Sequence, residues 1–107
     1  MSWRITFYNQ KVKTQALAFP DGILANFLHV IRQVEEFGPQ IGMPYTRLMG
    51  SGLFEVRARG KEGIGRALCC ALPGRELMVL NVFIKKSQKA PQKELELARK
   101  RMREVVK

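Results

Sequence analysis

Residues 53–85 read LFEVRARGKEGIGRALCCALPGRELMVLNVFIK and predict three consecutive strands joined by two turns. The strands are expected at 53–59, 64–72 and 77–84, and the turns at Gly60 to Gly63 and at Pro73-Gly74. The first strand alternates apolar and charged side chains, which is typical of a strand with one buried face. The last strand is apolar almost throughout, as in a central strand, and Pro-Gly suits the middle of a type II turn. The stretch therefore predicts an antiparallel meander.

The sequence on either side of the meander predicts another strand and two helices. Residues 3–8 are rich in aromatic and β-branched side chains, which favour a short strand at or near a sheet edge. Asp21 is a good N-cap, and apolar side chains follow it at helical spacing until Gly38-Pro39: Ile23, Leu24, Phe27, Leu28, Ile31 and Val34. Residues 39–52 are predicted to be irregular, with a helical turn considered at 45–49. Ala90-Pro91 opens a C-terminal helix whose apolar face carries Leu95, Ala98, Met102 and Val105.

A chain of 107 residues is expected to form a single domain, residues 1–107, because it is long enough for one core only. The predicted fold class is α+β: a small antiparallel-rich sheet built from a strand, a helix or helices, the three-strand meander and the C-terminal helix. No apolar run reaches the roughly 18 residues that span a membrane, and neither a secretory signal nor an anchor is recognised. The cytoplasm is the expected compartment, and no membrane partner is expected.

Neither cysteine predicts a disulfide or a metal site. Cys69 and Cys70 are adjacent, so in a strand they point to opposite faces, and we interpret them as reduced core residues. Zinc needs about four suitably spaced ligands, which these two and the lone His29 do not supply. His29 lies outside the apolar stripe of its helix and is expected to face solvent. We therefore expect no metal and no other cofactor.

The register of the meander decides which side chains meet. A four-residue turn at Gly60 to Gly63 places Arg57 opposite Arg66, and a two-residue turn at Pro73-Gly74 places Arg66 opposite Asn81. One face then forms an apolar floor for helices, made of Phe54, Val56, Ala58, Ala67, Cys69, Met78, Leu80, Val82 and Ile84. The other face has an apolar end for the C-terminal helix to cover: Leu68, Cys70, Leu72, Leu77 and Val79. Its second end is polar: Glu55, Arg57, Arg66, Asn81, Phe83 and Lys85.

The two opposed arginines have two interpretations, which the spacing supports about equally. Like charges directly opposite each other weaken a sheet, and a phosphate between Arg57 and Arg66 would resolve the conflict. Alternatively, Glu55 bridges both arginines as a surface ion pair of minor energetic weight. On the first interpretation, removing either arginine should leave the fold intact or slightly more stable.

The charge balance favours a polyanionic partner. The chain has 19 Lys and Arg residues against 9 Asp and Glu, a formal charge of +10. Such an excess on a small domain promotes binding to phosphate backbones through counterion release. Nucleic acid is favoured over a membrane surface because the basic residues are spread over the strands and the C-terminus, rather than gathered on one amphipathic helix.

Residues 52–101 resemble the RelE/HigB toxin superfamily, most closely its phage Gp49-like branch. That branch has a pattern like ELR, then G and R, then a hydrophobic strand ending in F-x-KK-x-QK-x-P, and a helix with E, A and R. The matching residues here are Glu55, Val56, Arg57, Gly63, Arg66, Phe83, Lys85, Lys86, Gln88, Lys89, Pro91, Glu94, Ala98 and Arg101. The resemblance implies the toxin of a type II toxin–antitoxin system, a metal-independent endoribonuclease that cuts messenger RNA on the ribosome.

The resemblance also implies partners and residue roles. The expected partners are the ribosome with its messenger RNA and a cognate antitoxin that often carries a helix-turn-helix domain, with operator DNA bound only through the antitoxin. The candidate catalytic residues are Arg57, Arg66, Lys85, Lys86 and Glu55, and the candidate RNA-binding residues are Arg59, Lys89, Phe83 and Asn81. The arginines and paired lysines would stabilise phosphate charge. Glu55 is a candidate base and a lysine a candidate acid, because the tyrosine or histidine that some relatives use is missing here.

Two other functions remain open at this stage. A toxin of the same fold can poison DNA gyrase, as the ParE branch does, although such a toxin has no need of a phosphate cluster on its sheet. A non-catalytic, basic nucleic-acid-binding module is the second alternative, and the lack of an obvious base supports it.

Overall fold

The computed structural model describes residues 2–85 and 91–106. Its elements in chain order are β1 (Arg4–Phe7), α1 (Gln10–Leu17), α2 (Asp21–Phe37), a 3-10 turn (Pro39–Ile41), β2 (Thr46–Gly50), β3 (Leu53–Gly60), β4 (Gly63–Leu72), β5 (Glu76–Lys85) and α3 (Gln92–Val105). The strands form one sheet in the order β1-β5-β4-β3-β2. β1 is parallel to β5, and the other pairs are antiparallel. The predicted α+β class and the edge position of the first strand are therefore confirmed.

The helices form where local signals and apolar spacing agree. The side chain of Asn9 caps α1 by accepting a hydrogen bond from the backbone N–H of Val12 at 2.9 Å. The inner face of α2 buries Ile23, Phe27, Val30 and Val34, and the helix ends at Gly38, whose φ of 90° suits glycine. Asp21 is the first residue of α2 rather than its N-cap. Leu28, predicted on the apolar stripe, is 46% exposed. No helix of the described residues combines the length and apolar character needed to cross a bilayer.

Helices lie on both faces of the sheet and give two apolar cores. α1 and α2 cover one face, where the larger core includes Val12, Ile23, Phe27, Val34, Val56, Ala67, Cys69, Leu77, Val79 and Val82. α3 covers part of the other face, where the smaller core includes Leu53, Leu68, Cys70, Leu80 and Ala98. Cys69 and Cys70 are free and lie in different cores, as predicted. Burial raises the pKa of Cys70 to about 11.

The predicted register is right for one strand pair and wrong for the next. Arg57 lies opposite Arg66, as expected. In the β4–β5 pair, however, Leu72 lies opposite Glu76, so the turn has one residue more than predicted, and the pairing then skips Leu80. Arg66 consequently faces Phe83 instead of Asn81. The bulge at Leu80 also reverses part of the face assignment, because Leu77 and Val79 belong to the larger core and Leu80 to the smaller one.

Two elements were not predicted from the sequence. Residues 10–17 form α1, which buries only Val12 and Ala16 and so has a weak apolar stripe. Residues 46–50 form the edge strand β2 instead of a helical turn, and only Thr46 of this strand is buried. Short segments with one or two buried side chains leave little periodic signal.

Candidate functional site

Four basic side chains converge on the part of the sheet that α3 leaves open. Arg57 and Arg66 lie opposite each other on β3 and β4, and Lys85 lies at the end of β5. Arg47 of β2 lies opposite Glu55 of β3, one strand farther out. Because alternate residues of a strand share a face, all of them belong to one surface. We refer to Arg47, Arg57, Arg66 and Lys85 as the basic cluster.

A buried carboxylate lies within the basic cluster. Arg66 Nη1 donates a hydrogen bond to Glu55 Oε2 at 2.7 Å, and the side chains of these residues are only 4% and 1% exposed. Arg57 Nε lies 3.8 Å from Glu55 Oε1, within ion-pair distance, and its side chain is 10% exposed. Glu55 therefore bridges both arginines, but as a buried group and not as the surface ion pair considered from the sequence.

The burial of this pair corrects the expectation about stability. Removing one partner of a buried ion pair strands a charge away from water and is strongly destabilising. We therefore expect the loss of Arg66 to be destabilising, in place of the expectation from the sequence that it would be neutral or stabilising. Arg57 differs, because Glu55 keeps its contact with Arg66 when Arg57 is removed.

The cluster retains hydrogen-bonding groups without a partner. Among the described residues, no hydrogen bond is made by Arg57 Nε, Arg66 Nε or Glu55 Oε1, although all three atoms are buried. Buried polar groups are almost always hydrogen-bonded, and each exception needs an explanation. Two of these atoms are guanidinium donors, which match the oxygens of an anion such as phosphate.

Desolvation and neighbouring positive charges lower the pKa values of Arg57 and Lys85. Burial lowers the pKa of Arg57, and the charge of Arg66 lowers it further, while Glu55 opposes both effects. Partial desolvation also lowers the pKa of Lys85, followed by the charges of Arg66, Arg57 and Arg47. Four cations around one carboxylate therefore carry an excess of positive charge, which a bound anion would offset. The lowered pKa of Lys85 makes its proton easier to release.

Of the remaining predicted site residues, some lie beside the basic cluster and others lie away from it. Phe83 is half-buried and lies directly opposite Arg66. Arg59 is exposed at the end of β3, and its backbone N–H donates to Asn26 Oδ1 at 2.7 Å. Asn81 is 4% exposed, and its Nδ2 donates to the backbone oxygen and to Oε1 of Glu94 on α3, so its amide nitrogen is already engaged. Lys86 and Lys89 lie outside the described residues.

Side chains of α3 attach this helix to the sheet beside the basic cluster. Arg101 Nη1 donates to the carbonyl oxygen of Leu80 at 2.6 Å, at the bulge, and its guanidinium lies 4.8 Å from the centre of the Tyr8 ring. Glu94 holds Asn81, and Arg99 Nη2 donates to the carbonyl oxygen of Met49 at 2.9 Å. These contacts fix the position of α3 on the sheet. They therefore determine how much of the basic cluster stays exposed to solvent.

The sequence did not identify Arg47 as a site residue. It lies in the segment predicted to be irregular, and becomes part of the site only because β2 adds to the edge of β3. Within that segment, residues 46–49 read TRLM, an alternation too short to be distinguished from a loop.

The described residues, 2–85 and 91–106, contain no group of three or more His, Cys, Asp or Glu side chains that could hold a metal ion.

Comparison with known proteins gives a family and shows similarity to solved structures. The model of the family described as "Phage derived protein Gp49-like (DUF891)" matches residues 15–103. No curated protein matches the chain significantly. Among solved structures, the archaeal RelE-RelB complex from Pyrococcus horikoshii OT3 has a chain that superposes with a TM-score of 0.56 at 18% identity. The alignment covers 80% of this chain and 98% of the other, so the similarity is one of overall fold.

Proposed function

Because the chain belongs to the Gp49-like family of phage-derived proteins, we propose that it is a toxin of the RelE/HigB type, an endoribonuclease that cuts messenger RNA on the ribosome and needs no metal ion. The observation that carries this proposal is the basic cluster, in which four cations share one face with a buried carboxylate and two guanidinium N–H groups make no hydrogen bond to the described residues. A phosphodiester is the anion that fits both the cluster and the formal charge of +10.

The proposed reaction is an attack of the RNA on its own backbone. The 2′-hydroxyl oxygen bonds to the adjacent phosphorus and gives up its proton to water, while the bond to the 5′-oxygen breaks and that oxygen takes a proton from the enzyme. Arg57 and Lys85 stabilise the extra negative charge on the phosphoryl oxygens during this step, and the buried Arg66 adds its positive charge at longer range. Lys85, whose pKa is lowered, is the candidate proton donor to the leaving oxygen.

Glu55 is better suited to positioning than to proton transfer. Its side chain is 1% exposed and both of its oxygens lie beside guanidinium groups. A general base has to reach the proton that it removes, which an enclosed carboxylate does not. In this proposal Glu55 holds Arg66 and Arg57 in place before the substrate arrives, and preorganised charge of that kind is an effective source of rate.

The proposed partners follow from the family and the fold. A cognate antitoxin, with a helix-turn-helix domain in many such pairs, would neutralise the toxin and carry it to operator DNA. A structural neighbour is named as a RelE-RelB complex, which supports a partner of that kind. The ribosome with its messenger RNA is the target in this proposal, and the cytoplasm is the compartment.

Controlled expression tests the proposal. Brief induction of the chain should arrest growth, co-expression of the neighbouring antitoxin should restore it, and primer extension should find new 5′ ends in translated messages. The Arg57→Ala variant should lose arrest and cleavage, while Arg32→Ala, which removes the same charge from an exposed site on α2, should retain both.

The alternatives predict different results. Growth arrest with broken DNA and intact messages would support gyrase poisoning, and RNA binding without arrest or cleavage would support a non-catalytic module. Normal growth with well-folded, abundant protein would contradict the toxin proposal itself.

A further inference from the structure

A groove of about 420 Å³ runs beside the edge strand β2, between that strand and residues 39–43. Its lining includes Gln40, Met43, Arg47 and Leu48. The basic cluster thus has a neighbour that is concave and mostly apolar, and the proposed reaction makes no use of it.

The apolar side chains of this groove are unusually exposed. Leu48 is 71% exposed and Met43 is 57% exposed, which places both among the large hydrophobic residues that the described chain leaves open to water. Leu48 is the more notable case, because its partner in the ladder, Phe54, is only 8% exposed. Apolar surface left open beside a functional cluster is typical of a binding site.

The groove is continuous with the basic cluster. Arg57 Nη1 lies 3.7 Å from Met43 Sδ, so a residue of the cluster touches a residue of the groove. Arg47 belongs to both, since it lines the groove and its charge lowers the pKa values of Arg57 and Lys85. Leu48 follows Arg47 in β2 and pairs with Phe54 of the larger core, so the groove wraps around the edge of β2 and meets the basic cluster at Met43 and Arg47. A ligand that enters both sites has a negative group beside an apolar one.

A nucleotide has these two parts, a phosphate and a flat base with an apolar face. We propose that the groove is the subsite for a nucleotide next to the bond that is cut. Its base packs against Met43 and Leu48, Arg47 binds the phosphate that flanks it, and the Gln40 amide offers a donor and an acceptor to the edge of the base. This proposal rests on the proposed function, and it gives the protein a contact with base identity that the basic cluster alone does not provide.

Cleavage on programmed ribosomes tests the proposal. Messages are prepared with an abasic nucleotide on either side of the cut bond, and KM and kcat are measured for each. With the wild-type protein, one of the two abasic messages should show a KM raised by about fivefold. A change of that size is expected when apolar contact equal to one or two buried methylene groups is lost. Met43→Ala and Leu48→Ala should each reduce that penalty, because in each variant the base has already lost one of its two contacts.

Matched variants separate the groove from general effects. Leu28→Ala removes an equally apolar side chain that is 46% exposed on α2, and it should keep the full abasic penalty. Arg47→Ala should raise KM for every message with a smaller effect on kcat, whereas Arg32→Ala should leave both unchanged.

Each outcome bears on one proposal or the other. If the wild-type protein does not cut, the proposed function and the subsite both fail. If it cuts and the abasic penalty persists in full in Met43→Ala and Leu48→Ala, the subsite is wrong while the function stands. If these variants cut normally but bind the purified antitoxin more weakly, the groove is a protein-binding site and the nucleotide proposal is overturned.

Discussion

Arg66 and Arg57 differ in how tightly Glu55 holds them. The 2.7 Å contact between Glu55 and Arg66 is buried on both sides, so Arg66 is held in one orientation before any ligand binds. Arg57 is farther from the carboxylate, at 3.8 Å, and more exposed, which leaves its guanidinium available to a ligand. One arginine therefore belongs to the fold as well as to the site, and the other belongs mainly to the site. Substitutions at the two positions should behave differently for this reason.

Arg66→Ala should lower the free energy of unfolding by about 3–5 kcal/mol, because it leaves Glu55 buried without its closest counter-ion. The double variant Glu55→Leu, Arg66→Met should recover most of that loss, since apolar residues of similar volume replace a buried ion pair at little cost. Urea unfolding of the wild type, the single variant and the double variant measures both effects. A single variant as stable as the wild type would show that the pair is not buried in solution.

Arg57→Ala should reduce the rate of RNA cleavage by about 10²-fold or more, the usual effect of deleting one donor that stabilises transition-state charge. The fold should remain, with a loss of stability of about 1 kcal/mol at most, because the contact between Glu55 and Arg66 persists. Single-turnover cleavage and thermal unfolding are measured on the same preparation. Cleavage at the wild-type rate by a folded Arg57→Ala protein would remove Arg57 from the site.

Among the elements, the β3–β4 hairpin was predictable and the β4–β5 hairpin was not. Gly60 to Gly63 allows a short turn, so the opposition of Arg57 and Arg66 follows from the sequence. After Pro73-Gly74 the turn takes in Arg75 as well, with a φ of 57°, and the bulge at Leu80 shifts the pairing by another residue. An apolar strand that is buried on both faces has no alternation to reveal such shifts. Asn81 was therefore placed beside Arg66, although it lies under α3.

The β3–β4 turn is also anchored on the first turn of α2. Glu62 Oε2 accepts a hydrogen bond from the backbone N–H of Gly22 at 3.1 Å. The approach is close, because a Cβ atom added to Gly60 would lie 2.5 Å from the backbone nitrogen of Ile23. A carboxylate at the start of a helix satisfies free N–H groups and complements the helix dipole. This contact sets the distance between α2 and the strands that carry the arginines.

Stability should depend on the charge of Glu62. Its hydrogen bond to the Gly22 backbone lowers the pKa of Glu62 below the ordinary value of 4.5. A lowered pKa in the folded state means that the contribution is present above the unfolded-state pKa and is lost as the pH falls through the folded-state pKa. The wild type should therefore be more stable than Glu62→Gln at pH 7, and the difference should vanish in acid. A difference that stays constant from neutral to acidic pH, followed by urea unfolding, would contradict the assignment.

At the scale of the whole molecule, α3 covers one end of a sheet face and leaves the basic cluster open at the other end. The sequence predicted that one end of this sheet face would be apolar and covered and the other end polar. The smaller core and the basic cluster lie at these two ends, although Leu77 and Val79 belong to the larger core and Asn81 lies under α3. Glu55, Arg57, Arg66 and Lys85 were identified from strand alternation and the family pattern. Arg47 and the groove were not, because both depend on how an edge strand and a loop meet in three dimensions. Contacts between distant segments leave no local pattern in a sequence.

The last prediction concerns the response of the whole molecule to salt. A protein with a formal charge of +10 that binds RNA should release counterions, so the logarithm of its affinity should fall linearly with the logarithm of salt concentration. Each residue that contacts a phosphate contributes about one unit to that slope, so Arg57→Ala should reduce it by about one. Arg32→Ala lowers the net charge equally but lies on α2, away from the basic cluster, and should leave the slope unchanged within error. Binding to ribosomes carrying a message is measured at several salt concentrations for the wild type and both variants. Equal reductions for the two arginines would mean that the charge acts as a diffuse whole, and the basic cluster would lose its place as the RNA contact.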